Sequence, residues 1–255
     1  MKASSEIPNI NELRRICQKS KEGHKGAYYS DWSERLPRIF SIYITNILLN
    51  TSITPNQITI FNICLGVGAA GVLWPMKWWS YLIYATIYFI TSVIDCCDGE
   101  VARFKGLYSN SGRYLDTSQV TLSRSTMFTA MGIFYYIHYD ELWVLLAGFI
   151  ASNIYLLAKT LSFTKYRVIT SSTLADRMTG MPPENKSIQS LMKFVFEIVV
   201  VKPPATYLIL IINAIILYFV KLDMIGFILV GFSILHIIAI AELLYEVAIL
   251  KNLDL

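Results

Sequence analysis

From residue 57 onward the chain is a succession of long apolar runs divided by short polar segments. Six runs approach the about 20 helical residues needed to cross a hydrocarbon core about 30 Å thick. They cover residues 57–75, 78–99, 118–137, 142–163, 204–220 and 224–249. The runs are continuous rather than strictly alternating, so helices are expected, each satisfying its own backbone polar groups, and not the strands of a barrel. Ahead of them, Leu36, Ile39, Phe40, Tyr43, Ile47 and Leu48 recur at helical spacing, with Arg35 and Arg38 at the start. Residues 34–50 are too short for a full span and read as an amphipathic helix lying in the membrane interface. Pro55 holds Thr54 in an extended conformation and suits the first turn of a helix, so the first span is expected to start close to Asn56.

This pattern predicts an all-α polytopic membrane protein, with a polar segment over 1–33 and one six-span domain over 34–255. Residues 1–35 lack the short apolar run of a cleavable signal peptide. The longest polar connection, 164–203, reads as a loop followed by a short helical or interfacial piece over 188–201. No internal repeat is visible, so an inverted-repeat transporter gains no support.

Composition agrees and narrows the class. The 255 residues are 55% apolar and 16% charged, against about 25% charged in an ordinary soluble domain. Too few polar residues remain to cover a soluble globule, and intrinsic disorder is excluded on the same grounds. Sixteen Tyr and five Trp suit a protein with two membrane interfaces. Cys17, Cys64, Cys96 and Cys97 show no zinc-site spacing and read as packing residues.

The net charge of +4 is mild, but its distribution is not. With six spans, only Lys77 and Lys221 of the 22 Lys and Arg fall on one side. The rest place both termini in the cytoplasm. The positive excess is thus explained by orientation, without nucleic acid as a partner.

Against this background a few acids stand out. Asp95 and Asp98, three residues apart, share a helix face at the end of the second run, and Asp116 follows one turn after Gly112 at the start of the third. Gly99 and Ala102 leave the adjoining surface shallow. A charge within a span costs about 2.5–3.5 kcal/mol on insertion scales. Three neighbouring carboxylates also repel one another. A divalent cation answers both problems, and hard oxygen donors favour Mg²⁺ or Mn²⁺ with room left for substrate phosphates. The plainer alternative is that these aspartates only end a helix at the water interface.

The pattern Asp95-x2-Asp98-Gly99-x2-Ala102-Arg103-x8-Gly112-x3-Asp116 resembles the signature of the CDP-alcohol phosphotransferases, also called CDP-alcohol phosphatidyltransferases. Thr54-Pro55-Asn56-Gln57-Ile58-Thr59 resembles a stretch common before that family's first span, and the likeness covers about residues 32–250. The resemblance implies displacement of CMP from a CDP-alcohol donor, such as CDP-diacylglycerol, by the hydroxyl of an acceptor alcohol. It also implies a homodimer and a site open to the cytoplasm. Carried over, Asp95, Asp98 and Asp116 are metal ligands. Gly99, Ala102 and Gly112 admit the nucleotide, Asn56 and Thr59 touch it, and Arg103 and Lys105 meet phosphate charge, unless these two only anchor a helix end.

One position departs from the family pattern. Where a fourth Asp is expected as base for the attacking hydroxyl, this chain has Val120. General-base help is typically worth about 10²–10⁴-fold. Glu100, one position beyond Gly99, and cytoplasmic-loop residues are available to replace it, the substrate or a metal-bound water is another source of the base, and Lys159, Lys165 and Arg167 are cations available for an acidic acceptor. Three readings follow: a transferase, a non-catalytic relative that binds CDP-alcohol or lipid, and a divalent-cation transporter using the same acids. Acids gathered at one mouth, rather than along several spans, favour the first two.

Overall fold

The computed structural model describes residues 8–18, 32–171 and 203–253. These residues form helices α1 (Ile10–Cys17), α2 (Trp32–Leu49), α3 (Pro55–Ala69), α4 (Trp78–Lys105), α5 (Asn110–Tyr139), α6 (Leu142–Ser171), α7 (Pro203–Val220) and α8 (Ile225–Leu253), with a 3₁₀ turn over Ala70–Leu73.

Local chemistry sets the ends that matter for function. Thr54 caps α3: its Oγ1 accepts from Gln57 N, while Thr54 N donates to Gln57 Oε1 at 2.9 Å. Pro55 then occupies the first turn, where its missing N–H is of no consequence. α4 stops at Gly106, which takes φ +65, a left-handed conformation that a side chain would strain. Three residues later Ser109 accepts from Gly112 N at 2.9 Å and starts α5. The turn is therefore short, and it sets the C-terminus of α4 and the N-terminus of α5 at the same end of the bundle. α3 packs against both, α7 lies on α4, and α6 lies between α5 and α8. Tyr81, Tyr84, Phe128, Met131 and Tyr155 are among the buried side chains of the shared apolar core.

The elements depart from the sequence expectations in length and in apolarity. The third expected span, 118–137, belongs to a helix that starts at Asn110, because the Ser109 cap lies before the polar turns. The helix of the fourth continues to Ser171, where a loop was expected from 164. Residues 188–201 lie outside the described residues. Among the described residues four segments are long and apolar enough to cross a membrane: Pro55–Leu73, Trp78–Lys105, Leu142–Ser162 and Ile225–Tyr245. α5 is not one of them; Thr117, Ser118, Gln119, Thr121, Ser123 and Arg124 dilute its apolar run. The apolar part of α7, Thr206–Val220, is shorter.

α2 has the side-chain distribution of an interfacial helix. Leu36, Ile39, Phe40, Tyr43 and Ile47 are exposed, whereas Ser41 and Thr45 are fully buried. A soluble protein would present the reverse; an outward apolar face suits contact with lipid.

Glycine sets the closest helix approach. A Cβ on Gly148 of α6 would sit 2.8 Å from Gly132 Cα and from Phe128 O, both backbone atoms of α5. Gly68 and Gly71, by contrast, meet open space. Gly148→Ala is therefore expected to force α5 and α6 apart and to destabilise the fold by about 1–3 kcal/mol. Gly68→Ala should have little effect. Thermal unfolding in detergent compares the two. An undisturbed Gly148→Ala would contradict the close packing.

Candidate active site

The C-terminal end of α4 and the N-terminal ends of α3 and α5 border a cavity of about 850 Å³. Asp95, Asp98 and Asp116 all line it. Each offers one carboxylate oxygen, and these oxygens lie within 4.8 Å of one another. Asp98 is 8% exposed, Asp95 half-buried and Asp116 exposed. Ligands of one Mg²⁺ with bonds near 2.1 Å stand about 3.0 Å apart when adjacent and about 4.2 Å apart when opposite, so the three carboxylates suit a hard cation once their side chains close on it. Thr59, buried on α3, donates to Asp98 Oδ2 at 2.6 Å. A ligating carboxylate held in this way from a neighbouring helix has its orientation fixed.

The adjoining wall is built on residues with little or no side chain of their own. Gly99 and Ala102 line the cavity beside Asp98. The Arg103 guanidinium lies over Gly99, with Nη1 3.1 Å from where a Cβ would stand. Gly112 faces Asn56: a Cβ there would come within 2.9 Å of Asn56 Oδ1. Asn56 also reaches Ser111 Oγ at 3.4 Å and so ties α3 to the start of α5. Asn56, Thr59, Gly99, Ala102, Arg103 and Gly112 thus converge on one cavity with the three acids.

Two expectations land elsewhere. Lys105 is not among the lining residues; its Nζ donates to Thr51 O at 3.1 Å and to Ile53 O at 3.0 Å. It braces the connection between α2 and α3. Glu100 is fully buried on the opposite face of α4, where Gln18, Ser41 and Thr45 donate to it. One helical step past Gly99 turns its side chain away from the cavity, so it cannot take a proton there.

Val120 does line the cavity, one turn beyond Asp116, with Thr117, Thr121 and Lys159. Among the described lining residues the carboxylates are Asp95, Asp98 and Asp116 alone. Sequence reasoning missed what lies behind Val120. Arg124 is buried, donates from Nε to Tyr88 OH at 2.9 Å, and sits 5.7 Å from the Tyr155 ring centroid. The Tyr155 hydroxyl donates to Val120 O at 3.4 Å. An arginine inside an apolar run was the available signal, but its tyrosine partners lie on other helices.

Residues 52–245 match the CDP-alcohol phosphatidyltransferase family. A protein of Aquifex aeolicus (strain VF5), described as uncharacterized, is 28% identical over 120 residues, which cover 47% of this chain and 56% of that protein. The chain thus spans about half the length of that curated relative. The fold is similar to the crystal structure of Mycobacterium tuberculosis phosphatidylinositol phosphate synthase with CDP-DAG bound. The TM-score is 0.57 at 17% identity, over 81% of this chain and 92% of that one.

Proposed function

The chain belongs to the CDP-alcohol phosphatidyltransferase family, and from that premise we propose that it moves a substituted phosphate from a CDP-alcohol to an acceptor alcohol and releases CMP. The observation that carries this reading is the cluster of Asp95, Asp98 and Asp116 beside the bare backbone of Gly99 and Ala102 in one cavity. The acids fit Mg²⁺ or Mn²⁺, which when bound neutralises phosphate charge and eases departure of CMP. Asp95, Asp98 and Asp116 would hold the ion, and Thr59 orients Asp98. Gly99, Ala102 and Gly112 leave the nucleotide a shallow wall, and Arg103, lying over Gly99, meets the diphosphate. The acceptor oxygen forms a bond to the phosphorus carrying the donor's alcohol. The bond from that phosphorus to CMP breaks, and the hydroxyl proton leaves to water.

The cavity lies at the end of the bundle, beside the outward apolar face of α2, which suits a lipidic donor such as CDP-diacylglycerol. Lys159, which lines the cavity from α6, favours an acceptor carrying negative charge. In this reading α5 and α7 complete six spans within a domain over 34–255, α1 of the preceding segment docks on that domain through α2 and α4, and the cavity and both termini face the cytoplasm. Two chains form a homodimer. A second reading, binding without turnover, is favoured by Val120 alone.

The experiment is CMP release by purified full-length protein in lipid, with Mg²⁺ or Mn²⁺, across CDP-diacylglycerol and soluble CDP-alcohols and a panel of acceptors. Metal- and acceptor-dependent CMP release, abolished by chelation, is the expected result. Donor binding without CMP release under every acceptor would favour the second reading.

A further inference from the structure

The face of α4 that turns away from the cavity is as ordered chemically as the face that lines it. Glu100 is 0% exposed and sits between α1, α2 and α4. Its Oε1 accepts from Gln18 Nε2 at 2.7 Å and from Ser41 Oγ at 2.6 Å, and its Oε2 accepts from Thr45 Oγ1 at 2.6 Å. Gln18 spends its other amide hydrogen on Arg38 O at 2.9 Å. A buried carboxylate with three donors is held in one arrangement, because losing a donor leaves charge without compensation.

This network fixes a short helix that would not persist alone. α1 has eight residues, well below the length at which isolated helices are stable. Asn9 caps it by accepting from Glu12 N at 3.0 Å, and Leu13 and Cys17 are fully buried against α2 and α4. Burial, then the charge of Glu100, pushes the Cys17 thiol up to about 11, with Arg103 opposing, so the thiol is an inert packing group. What α1 supplies toward the cavity is a backbone oxygen. Arg103 Nε donates to Cys17 O at 2.6 Å. That bond holds the stem of Arg103 while its Nη groups lie over Gly99 on the cavity wall.

We infer that Gln18 and Glu100 are positioning residues for the donor site: they seat α1 on α4 so that the Cys17 carbonyl aims the Arg103 guanidinium at the donor's diphosphate. The inference rests on the proposed transferase reading. An arginine forked toward a diphosphate is effective only if its plane is held, since a free side chain would surrender rotamer entropy on binding. Residues 8–18 thereby become part of the site although none of their side chains is among those lining the cavity. The order of the contacts is Glu100 to Gln18, the adjoining Cys17 carbonyl to Arg103, and Arg103 to the wall at Gly99.

The test uses the full chain and two readouts: equilibrium binding of CDP-diacylglycerol with Mg²⁺, and CMP-release kinetics. Gln18→Ala and Arg103→Ala should each weaken donor binding by roughly tenfold or more. KM should rise in both, with kcat changed much less. The double variant should be no worse than Arg103→Ala, because both act through one group. Gln18→Glu sets two carboxylates together and should also weaken binding; adding Glu100→Gln removes that repulsion and should restore part of it, the bond to Arg38 O remaining lost. Equal unfolding temperatures separate positioning from loss of fold. Donor binding unchanged in Gln18→Ala, or additive losses in the double variant, would overturn the inference and leave the transferase reading standing. A wild-type chain that binds no CDP-alcohol would overturn both.

Discussion

Asp98→Asn is expected to lower metal-dependent CMP release by about a hundredfold or more. Merely removing a group that orients a metal ligand typically costs about 10–100-fold, and here the ligand itself loses its charge. Asp98 is the most buried of the three acids and is anchored to a second helix by the 2.6 Å bond from Thr59. An asparagine keeps the size, and its amide oxygen can still accept from Thr59. The fold should therefore survive, and the loss should appear in activity and in divalent-ion affinity together. Isothermal titration with Mn²⁺ alongside CMP release checks both. Release at the wild-type rate in Asp98→Asn would sink the assignment of these acids as ligands. The same substitution speaks to the transporter alternative: metal flux into proteoliposomes without CMP release in the wild type would reverse the functional conclusion.

What the sequence made legible follows from locality. The 3-residue step between Asp95 and Asp98 fixes their shared face through helix geometry alone, and the short turn at Gly106 brings Asp116 to the same end. The start of α3 was legible because Thr54, Pro55 and Gln57 form a cap within four residues. The placement of Lys105 and Glu100 was not legible for a different reason. Both lie next in sequence to site residues, yet one helical step of about 100° turns a side chain to another partner, and those partners are distant in the chain. Gln18 lies 82 positions from Glu100, and Thr51 54 positions from Lys105. The start of the third helix was not legible because hydropathy registers apolar content, whereas α5 begins at a hydrogen-bonded cap among polar residues and holds 118–137 within it. α2 shows the opposite case. Its periodicity was evident, but which face points inward depends on Glu100, and the buried face proved to carry Ser41 and Thr45 beside Ile42.

Val120→Asp is expected to raise CMP release by about 10²–10⁴-fold, the usual worth of a positioned base. The position already lines the cavity, one turn along α5 from Asp116, so a carboxylate there would face the same space as the metal set. Aspartate is close to valine in size, and the neighbouring Thr117 and Thr121 make that stretch of wall polar enough to receive it. Behind it the Tyr155 hydroxyl is bonded to the backbone oxygen of residue 120, not to its side chain, so the exchange leaves that contact in place. The gain should fall on kcat, since the new group meets the acceptor proton only as the hydroxyl attacks. Donor affinity, set by Gly99, Ala102 and Arg103 on the other wall, should move little. Combining Val120→Asp with Asp98→Asn should erase the gain, which distinguishes a restored base from a fresh metal site. If Val120→Asp leaves the rate unchanged while donor and metal still bind, another group already takes the proton, and the native valine is no impediment to turnover.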